Sequence, residues 1–593
     1  MTPTIVTLIP RIRRQDFGVL TPPPLGGWTP ALTVTVVIPA HDRQRTLDLT
    51  LAALSAQTYP AELMDVVVVD DGSPEPLRLP EAVPDGTKLI SSPPGGWGRA
   101  WALQAGLDAA SGEVVLVLDA DMVPHRTHVE AQLRWHHLAP YLVVLGWIDF
   151  TSAERLPRPE EVRAALRAGE EESLFPLAEE RHDWAEQIIH DHDGLRAASS
   201  SLATRIHVGA TASYPAALLR SIGGLDTSLV LAEDTELGYR LTQAGAVFVP
   251  DPQARAWHVG LPTAMRDFAA LKRYNDPYVA DRVPYRRYLR TDPGRQWLVP
   301  YVDAYVPAGT YEDVRASVDG LLGASLPDVR VTVEGPWTSL GEERRSPLRD
   351  PDLDLRLIRA QFAHDPRVRL APPPGWPAAD PGLAREPARE SGREPAREAA
   401  PGSPPVVPPF RLLVPPGWVP SQDAVERLVQ RLEETDGGVL CLALDETEDG
   451  VVVARLERTA ALSRAALVAG PGEHLDDVLD EVFGLEWLDG RAWGFSRRPA
   501  VYPPRRRPVP EHVVQLAQRD KEILLLRKRA AALRTELAEQ RRLAGKATRD
   551  AARWRQKAEE WRRKAVTLSR SRERTVLRRA VRRVRGLTSP ADT

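Results

Sequence analysis

The chain has 593 residues, of which 43% are hydrophobic and 27% are charged, a composition typical of globular domains. At about 100 to 200 residues per domain, this length predicts about three to five domains. The apolar runs are too short to cross a bilayer, and no apolar stretch near the N-terminus precedes a small-residue cleavage site, so a cytoplasmic protein is expected. Cys441 is the only cysteine, which excludes an intramolecular disulfide and a thiolate-rich metal site.

The net charge of −4 conceals a division of charge along the chain. Residues 511–593 hold 24 Lys and Arg against 10 Asp and Glu, whereas residues 1–510 hold 53 against 71. A basic block of this kind is expected to contact a surface of the opposite sign. The candidates are an anionic lipid surface, nucleic acid, or an acidic face of the same protein.

After an N-terminal extension at 1–31, residues 32–290 alternate apolar strand patterns with helical stretches, which favours an α/β sheet. Strands are predicted at 32–38, 66–69 and 114–118, and helices at 45–57 and 99–110. Acidic residues follow two of these strands, at Asp70-Asp71 and at Asp119-Ala120-Asp121. Because ligands of open α/β sheets bind beyond the carboxyl ends of the strands, these residues predict a binding site there.

The pair Asp119 and Asp121 is the main chemical signal. Two carboxylates two residues apart at the end of a strand can both reach one hard divalent cation, and that cation can bridge a diphosphate. Acidic pairs at strand ends also cap helices or lie in solvent, so the pair alone does not specify a metal site.

A second α/β unit is predicted on both sides of a linker, with the unit at 291–370 and 410–505 and the linker at 371–409. The linker contains 12 prolines in 39 positions, so it is not expected to form a core. The order of patterns in the second unit follows that in the first, but Pro415 and Gly417 stand where the first unit has Asp119 and Asp121. This predicts a degenerate copy that cannot hold the cation; chance similarity between two α/β segments is the alternative.

Heptad-spaced apolar residues at 511–568 predict a long C-terminal helix in a coiled coil, and with it a homo-oligomer. Trp554 and Trp561 occupy one of the two seam positions. The alternative is a single helix folded back on its own chain. The basic tail at 569–593 suits a helix on an anionic membrane, and a nucleic-acid partner is not expected because no recognition module precedes it.

Motifs in the first 260 residues resemble, in the proper order, those of the family 2 glycosyltransferases, which have the GT-A fold. They are Val34-Thr-Val-Val-Ile-Pro-Ala-His-Asp-Arg43, Val66-Val-Val-Val-Asp-Asp-Gly-Ser73, the segment 112–122 with Asp119-Ala120-Asp121, Gly223-Gly224-Leu225-Asp226, the segment 232–241, and Trp257-His258-Val259-Gly260. The resemblance covers under half of the chain. It implies an inverting, metal-dependent enzyme that moves a sugar from a nucleotide-diphosphate sugar, with a UDP-sugar as the expected donor, to a hydroxyl of a glycan or lipid-linked cell-envelope acceptor.

The resemblance also implies roles for single residues. Those expected to bind the nucleotide sugar are Pro39, Ala40, Asp42, Asp71, Arg99 and Asp119. Those expected to hold Mn²⁺ or Mg²⁺ are Asp119, Asp121 and His258. Asp234 is expected to act as the catalytic base, with Glu233 orienting the base or the acceptor. Relatives usually have Tyr-Asn at the place of His41-Asp42 and Arg-Asn at that of Leu103-Gln104.

Two other functions fit parts of the pattern. A nucleotidyltransferase also begins with an α/β nucleotide-binding unit, but it generally needs a glycine-rich phosphate loop, and residues 39–45 contain no glycine. A scaffold that organises other glycosyltransferases would use the coiled coil and need no intact acids. The expected location is the cytoplasm, peripheral to the inner face of the plasma membrane.

Overall fold

A computed structural model describes residues 9–176, 184–260, 267–292, 294–341, 346–372, 405–448, 450–498 and 553–564. Most of the predicted linker and coiled coil, and all of the basic tail, lie outside these residues. No helix within the described ranges is long and apolar enough to cross a membrane.

The first unit is built on a sheet of eight strands. They are β1 (Val34–Ala40), β2 (Met64–Asp70), β3 (Lys88–Ser91), β4 (Val114–Leu118), β5 (Met122–Pro124), β6 (Leu142–Thr151), β7 (Thr211–Pro215) and β8 (Val247–Val259). Their order is β3-β2-β1-β4-β7-β6-β8-β5. The first four strands in this order run parallel, and β7 is antiparallel to both β4 and β6. The strands predicted at 32–38, 66–69 and 114–118 are therefore confirmed to within two residues.

Nine helices of the described chain accompany this sheet. They are α1 (Gln44–Leu54), α2 (Arg99–Ala109), α3 (His128–His136), α4 (Pro159–Ala168), α5 (Trp184–Asp191), α6 (Ser200–Ala203), α7 (Ala216–Ser221), α8 (Glu233–Gln243) and α9 (Phe268–Arg282). Alternate residues of β1 enter different apolar clusters, Val36 on one face and Val37 on the other, so the strand is covered on both sides. A Cβ added to Gly106 would lie 2.2 Å from Val37 Cγ1, so a glycine is needed for α2 to pack this closely on β1.

The second unit contains the strands β9 (Val302–Pro307), β10 (Val329–Glu334), β11 (Val368–Ala371), β12 (Phe410–Leu413), β13 (Trp418–Pro420), β14 (Val439–Thr447), β15 (Gly450–Arg458), β16 (Leu485–Asp489) and β17 (Phe495–Arg497). Seven of them form a second sheet in the order β11-β10-β9-β12-β15-β14-β16. Its helices are α10 (Tyr311–Leu322), α11 (Leu353–Phe362), α12 (Ala424–Thr435), α13 (Thr459–Val468) and α14 (Leu475–Val482).

The second sheet has the same strand order and directions as the first seven positions of the first sheet. Four parallel strands are followed by an antiparallel strand, β15, and then by the parallel pair β14 and β16. The strand β12 takes the place of β4, and it is followed by Pro415 and Gly417 instead of aspartates. Descent of one unit from the other, and the domain limits given above, stay predictions.

One apolar cluster joins the two units. It contains Leu142 and Val249 from the first sheet together with Cys441, Ala465 and Phe483 from the second unit. The side chain of Arg464 crosses this boundary and is only 2% exposed. It donates to the carbonyl oxygens of Ile12 at 3.2 Å, Arg14 at 3.1 Å and Ala246 at 2.9 Å, and also to that of Gly245. This guanidinium has carbonyl partners from the N-terminal extension and from the first unit.

The described part of the C-terminal segment is a helix at 553–564 (α15). It packs on the second unit of its own chain, where Trp561 is 7% exposed. Arg562 pairs with Asp477 at 2.8 Å, and Lys564 pairs with Glu446 at 2.8 Å. At this helix the structure favours the alternative in which a basic segment contacts an acidic face of the same protein.

Replacing Arg464 with Ala should destabilise the protein by about 3 to 5 kcal/mol, because four buried carbonyl oxygens lose their donor. The measurement is guanidinium-induced unfolding followed by tryptophan fluorescence. Arg491→Ala is the control, since that side chain is 66% exposed and its ion pair with Asp445 should contribute less than about 1 kcal/mol. Equal losses in the two variants would contradict the role of Arg464.

Candidate active site

The site begins where β1, β2 and β4 end. The backbone N–H of Asp71 donates to the carbonyl of Ala40 at 2.9 Å, which joins the loops after β1 and β2. Asp42 has φ of 50°, in the left-handed region, and its N–H donates to Ser73 Oγ at 2.9 Å. Non-glycine residues in this conformation are uncommon and cluster at functional sites. Pro39, Ala40, Asp42 and Asp71 thus lie together at one edge of the sheet, although their contact with a nucleotide stays a prediction.

Both carboxylate oxygens of Asp71 hold the loop that leads into α2. Oδ1 accepts from Ser92 Oγ at 2.7 Å, and Oδ2 accepts from the N–H of Gly98 at 2.6 Å. Each carboxylate oxygen has a second lone pair, so these bonds still permit a bond to a nucleotide base. The role of Asp71 in fixing the 92–98 loop was not predicted from the sequence.

Arg99, the first residue of α2, lies between two acids that are far apart in sequence. Its Nε donates to Asp119 Oδ1 at 2.9 Å, and its Nη1 donates to Glu233 Oε1 at 2.9 Å. Its Nη2 also donates to the carbonyl of Gly209. The sequence predicted a nucleotide contact for Arg99. In the structure the guanidinium joins the loop after β4 to the start of α8, and its contact with a nucleotide stays a prediction.

Asp121 and His258 face each other across the pair of strands β5 and β8, with 3.8 Å between Asp121 Oδ1 and His258 Nε2. His258 Nδ1 lies 2.9 Å from the carbonyl of Gly260. A carbonyl can only accept, so Nδ1 carries the proton, and the lone pair of the neutral ring is on Nε2, toward Asp121. A carboxylate oxygen and an imidazole nitrogen suit Mn²⁺, and oxygen ligands suit Mg²⁺.

The third predicted metal ligand, Asp119, is held by Arg99. Burial raises the pKa of Asp119, and the Arg99 guanidinium opposes that rise. In the described part of the chain, no group of three His, Cys, Asp or Glu side chains is placed to hold a metal ion. The carboxylate of Asp121 and the imidazole of His258 are of a kind that fits such an ion, and the metal role of Asp119, Asp121 and His258 stays a prediction.

Glu233 and Asp234 begin α8 after Ala232, which has φ of 67°. A left-handed alanine stores strain that the surrounding structure must hold. Glu233 is 6% exposed, and burial raises its pKa to about 7 even though Arg99 opposes the shift. Asp234 is half-buried, and its Oδ1 accepts from the N–H of Thr235 at 2.6 Å.

Sequence reasoning missed two side chains, His207 and Tyr214, that hold the backbone of Asp234 through hydrogen bonds. His207 Nδ1 donates to the carbonyl of Asp234 at 2.8 Å, and Tyr214 donates its hydroxyl to His207 Nε2 at 2.8 Å. Burial lowers the pKa of His207, which keeps the ring neutral and suited to this pair of bonds. A Cβ at Gly238 would come within 2.9 Å of His207 Cβ, so α8 needs a glycine beside this ring. No motif spacing marks these residues, because they meet only in the folded chain.

The pKa of Glu233 has a consequence for stability. The unfolded chain loses this proton near pH 4.5 and the folded protein near pH 7, so the folded state loses stability as the pH rises between these values. Glu233→Gln should lose less stability over the same range, by up to roughly 3 kcal/mol. Thermal unfolding of the wild type and of Glu233→Gln, each at about pH 5 and about pH 8, compares how much stability each protein loses between these two pH values. Parallel pH profiles would contradict a raised pKa.

Residues 35–205 match the glycosyl transferase family 2. The chain is 26% identical over 362 residues to chondroitin synthase of Pasteurella multocida (strain Pm70), covering 58% of this chain and 36% of that protein. It is 29% identical over 242 residues to validoxylamine A glucosyltransferase of Streptomyces hygroscopicus subsp. limoneus, covering 39% of this chain and 51% of that protein. A solved mannosyltransferase, PcManGT from Pyrobaculum calidifontis in complex with GDP-Man and Mn²⁺, aligns with a TM-score of 0.29 and 20% identity, over 44% of this chain and 66% of that chain.

Proposed function

Residues 35–205 match the glycosyl transferase family 2, and from that premise we propose that the protein transfers a sugar from a nucleotide-diphosphate sugar to a hydroxyl of a glycan or lipid-linked acceptor, with inversion at the anomeric carbon. The observation that carries this proposal is the Arg99 guanidinium, which contacts both Asp119 and Glu233. It brings together Asp119, which is predicted to bind the nucleotide sugar, and Glu233, which is predicted to orient the base or the acceptor.

Asp234 is the proposed base. As the acceptor oxygen bonds to the anomeric carbon, the Asp234 carboxylate takes the hydroxyl proton, and the bond from that carbon to the diphosphate oxygen breaks with its electron pair leaving on the diphosphate. Such a base needs an oxygen that can reach the hydroxyl. The bond from Thr235 to Oδ1 holds the carboxylate in position, and within the described ranges no hydrogen bond to Oδ2 is found.

Asp121 and His258 are the proposed metal ligands. A Mn²⁺ or Mg²⁺ ion held there would offset the negative charge that grows on the leaving diphosphate. Asp119 is proposed to support this position through Arg99, since its Oδ1 already accepts from that guanidinium. Asp71 is the proposed partner of the nucleotide base, with a UDP-sugar as the proposed donor.

The second unit is proposed to be catalytically inactive. Its loop after β12 offers Pro415 and Gly417, and neither side chain can bind a cation. The relatives named above are by their names a synthase of chondroitin and a glucosyltransferase of validoxylamine A, so their names indicate different products of sugar transfer.

Asp234→Asn should lower the rate of sugar transfer by about 100-fold to 10,000-fold, because the amide cannot take the proton. Asp121→Asn should raise the Mn²⁺ concentration needed for half-maximal rate. The assay measures nucleotide release from UDP-, GDP- and TDP-sugars with Mn²⁺ and a panel of oligosaccharides, with and without EDTA. Asp445→Asn is the control, an exposed acid of the second unit. Full activity of Asp234→Asn would remove it as the base.

A further inference from the structure

A groove of about 320 Å³ lies beside α9, between that helix and the chain that follows it. Its walls include Asp276 and Asp281 of α9 together with Leu289, Arg295 and Trp297. The volume falls in the range of small-molecule sites, about 300 to 1,000 Å³. None of the motifs of the glycosyltransferase domain includes these residues.

Exposed tyrosine side chains lie close in sequence to the residues of this groove, in which Trp297 is the aromatic residue of the wall. Tyr274 and Tyr278 stack with 5.2 Å between ring centroids and are 38% and 37% exposed, and they lie two turns and one turn, respectively, before Asp281 on the helix. Tyr288, which precedes Leu289 of the groove wall, is 65% exposed. Exposed rings near a groove favour a binding site, because a folded chain usually buries them.

Trp297 is held in a fixed position. The guanidinium carbons of Arg290 and Arg295 lie 5.2 Å and 5.4 Å from its ring. Arg290 is itself anchored, since its Nη1 donates to Asp328 at 2.8 Å. A half-buried indole held in this way loses little conformational entropy when a ligand stacks on it.

The two carboxylates supply hydrogen-bond acceptors. Asp281 Oδ1 accepts from the N–H of Leu298 at 2.7 Å, which directs this side chain toward the groove wall that carries Trp297. Asp276 forms an ion pair with Lys272 on the same helix. Flat rings beside carboxylates match a pyranose, which has an apolar C–H face to stack on a ring and hydroxyls to donate to carboxylates.

The groove is fixed relative to the proposed base. Arg282, at the end of α9, donates to Asp226 at 2.8 Å, in the loop that leads to α8. The ring of Tyr285 packs edge-on against Tyr239 of α8, with centroids 5.5 Å apart.

We propose that this groove binds sugar units of the acceptor glycan that lie beyond the reacting one, with the ring of Trp297 stacking on a pyranose face and with Asp276 and Asp281 accepting hydrogen bonds from sugar hydroxyls. The proposal rests on the proposed sugar transfer. It adds a second binding site for the acceptor, which would then be an oligosaccharide several units long. A small aglycone would leave the groove empty.

The test is binding of chitohexaose, maltohexaose and a chondroitin hexasaccharide to the full chain by isothermal titration calorimetry. At least one should bind, and both Trp297→Ala and Asp281→Asn should weaken that binding at least 10-fold. Trp554→Ala is the matched control, because it removes an aromatic side chain of α15 that is 42% exposed. This variant should bind the oligosaccharide as tightly as the wild type does. Asp281→Asn retains an oxygen for the Leu298 N–H, so it keeps the proposal testable if Trp297→Ala does not fold.

Failure of this proposal can be told apart from failure of the proposed function. If sugar transfer occurs, both groove variants should raise the KM for the oligosaccharide acceptor and leave the KM for the donor unchanged. Binding of none of the three hexasaccharides, or equal binding by wild type and both variants, overturns the groove proposal. Absence of nucleotide release from every donor, with hexasaccharide binding intact, overturns the proposed transfer and leaves a glycan-binding groove.

Discussion

The ion pairs of Arg99 are the constraint on which the site depends. Asp119, Asp121, Glu233 and Asp234 come from two distant segments, and four carboxylates brought together repel one another. One guanidinium contacts an acid from each segment, and its Nη2 also donates to the Gly209 carbonyl. A planar guanidinium, with five donors in a fixed geometry, can hold three such partners at once, which a lysine ammonium could not do with the same directionality.

This arrangement is compatible with the metal ion that belongs to the proposed function. Arg99 contacts Asp119 and Glu233, whereas Asp121 faces the imidazole of His258. A donor diphosphate would add further negative charge to an edge that is already acidic. A divalent cation between Asp121 and the diphosphate would remove that repulsion, and Asp234 would stay free to take a proton.

The sequence predicted the first sheet well because the signals there are local. Runs of β-branched residues specified β1, β2 and β4, and the acids that follow the strands lie at the edge where the strand ends meet. The contacts of Arg99, the support of Asp234 by His207 and the left-handed Ala232 could not be read in this way. They depend on side chains 20 or more residues apart meeting in space, or on a left-handed backbone conformation that the presence of an alanine does not predict. The tail shows the same limit, since a heptad pattern is equally compatible with Trp561 facing a second helix or, as observed, its own second unit.

The burial of Arg464 and its neighbours between the two sheets has an evolutionary consequence. Loss of the second unit would expose Leu142, Val249 and the carbonyl oxygens that Arg464 now satisfies, so the first unit could not dispense with it by simple deletion. Selection for solubility would then preserve the second unit, although its loop after β12 carries Pro415 and Gly417 in place of acids. A second unit can in this way become indispensable as a structural partner, whether or not it binds a ligand of its own.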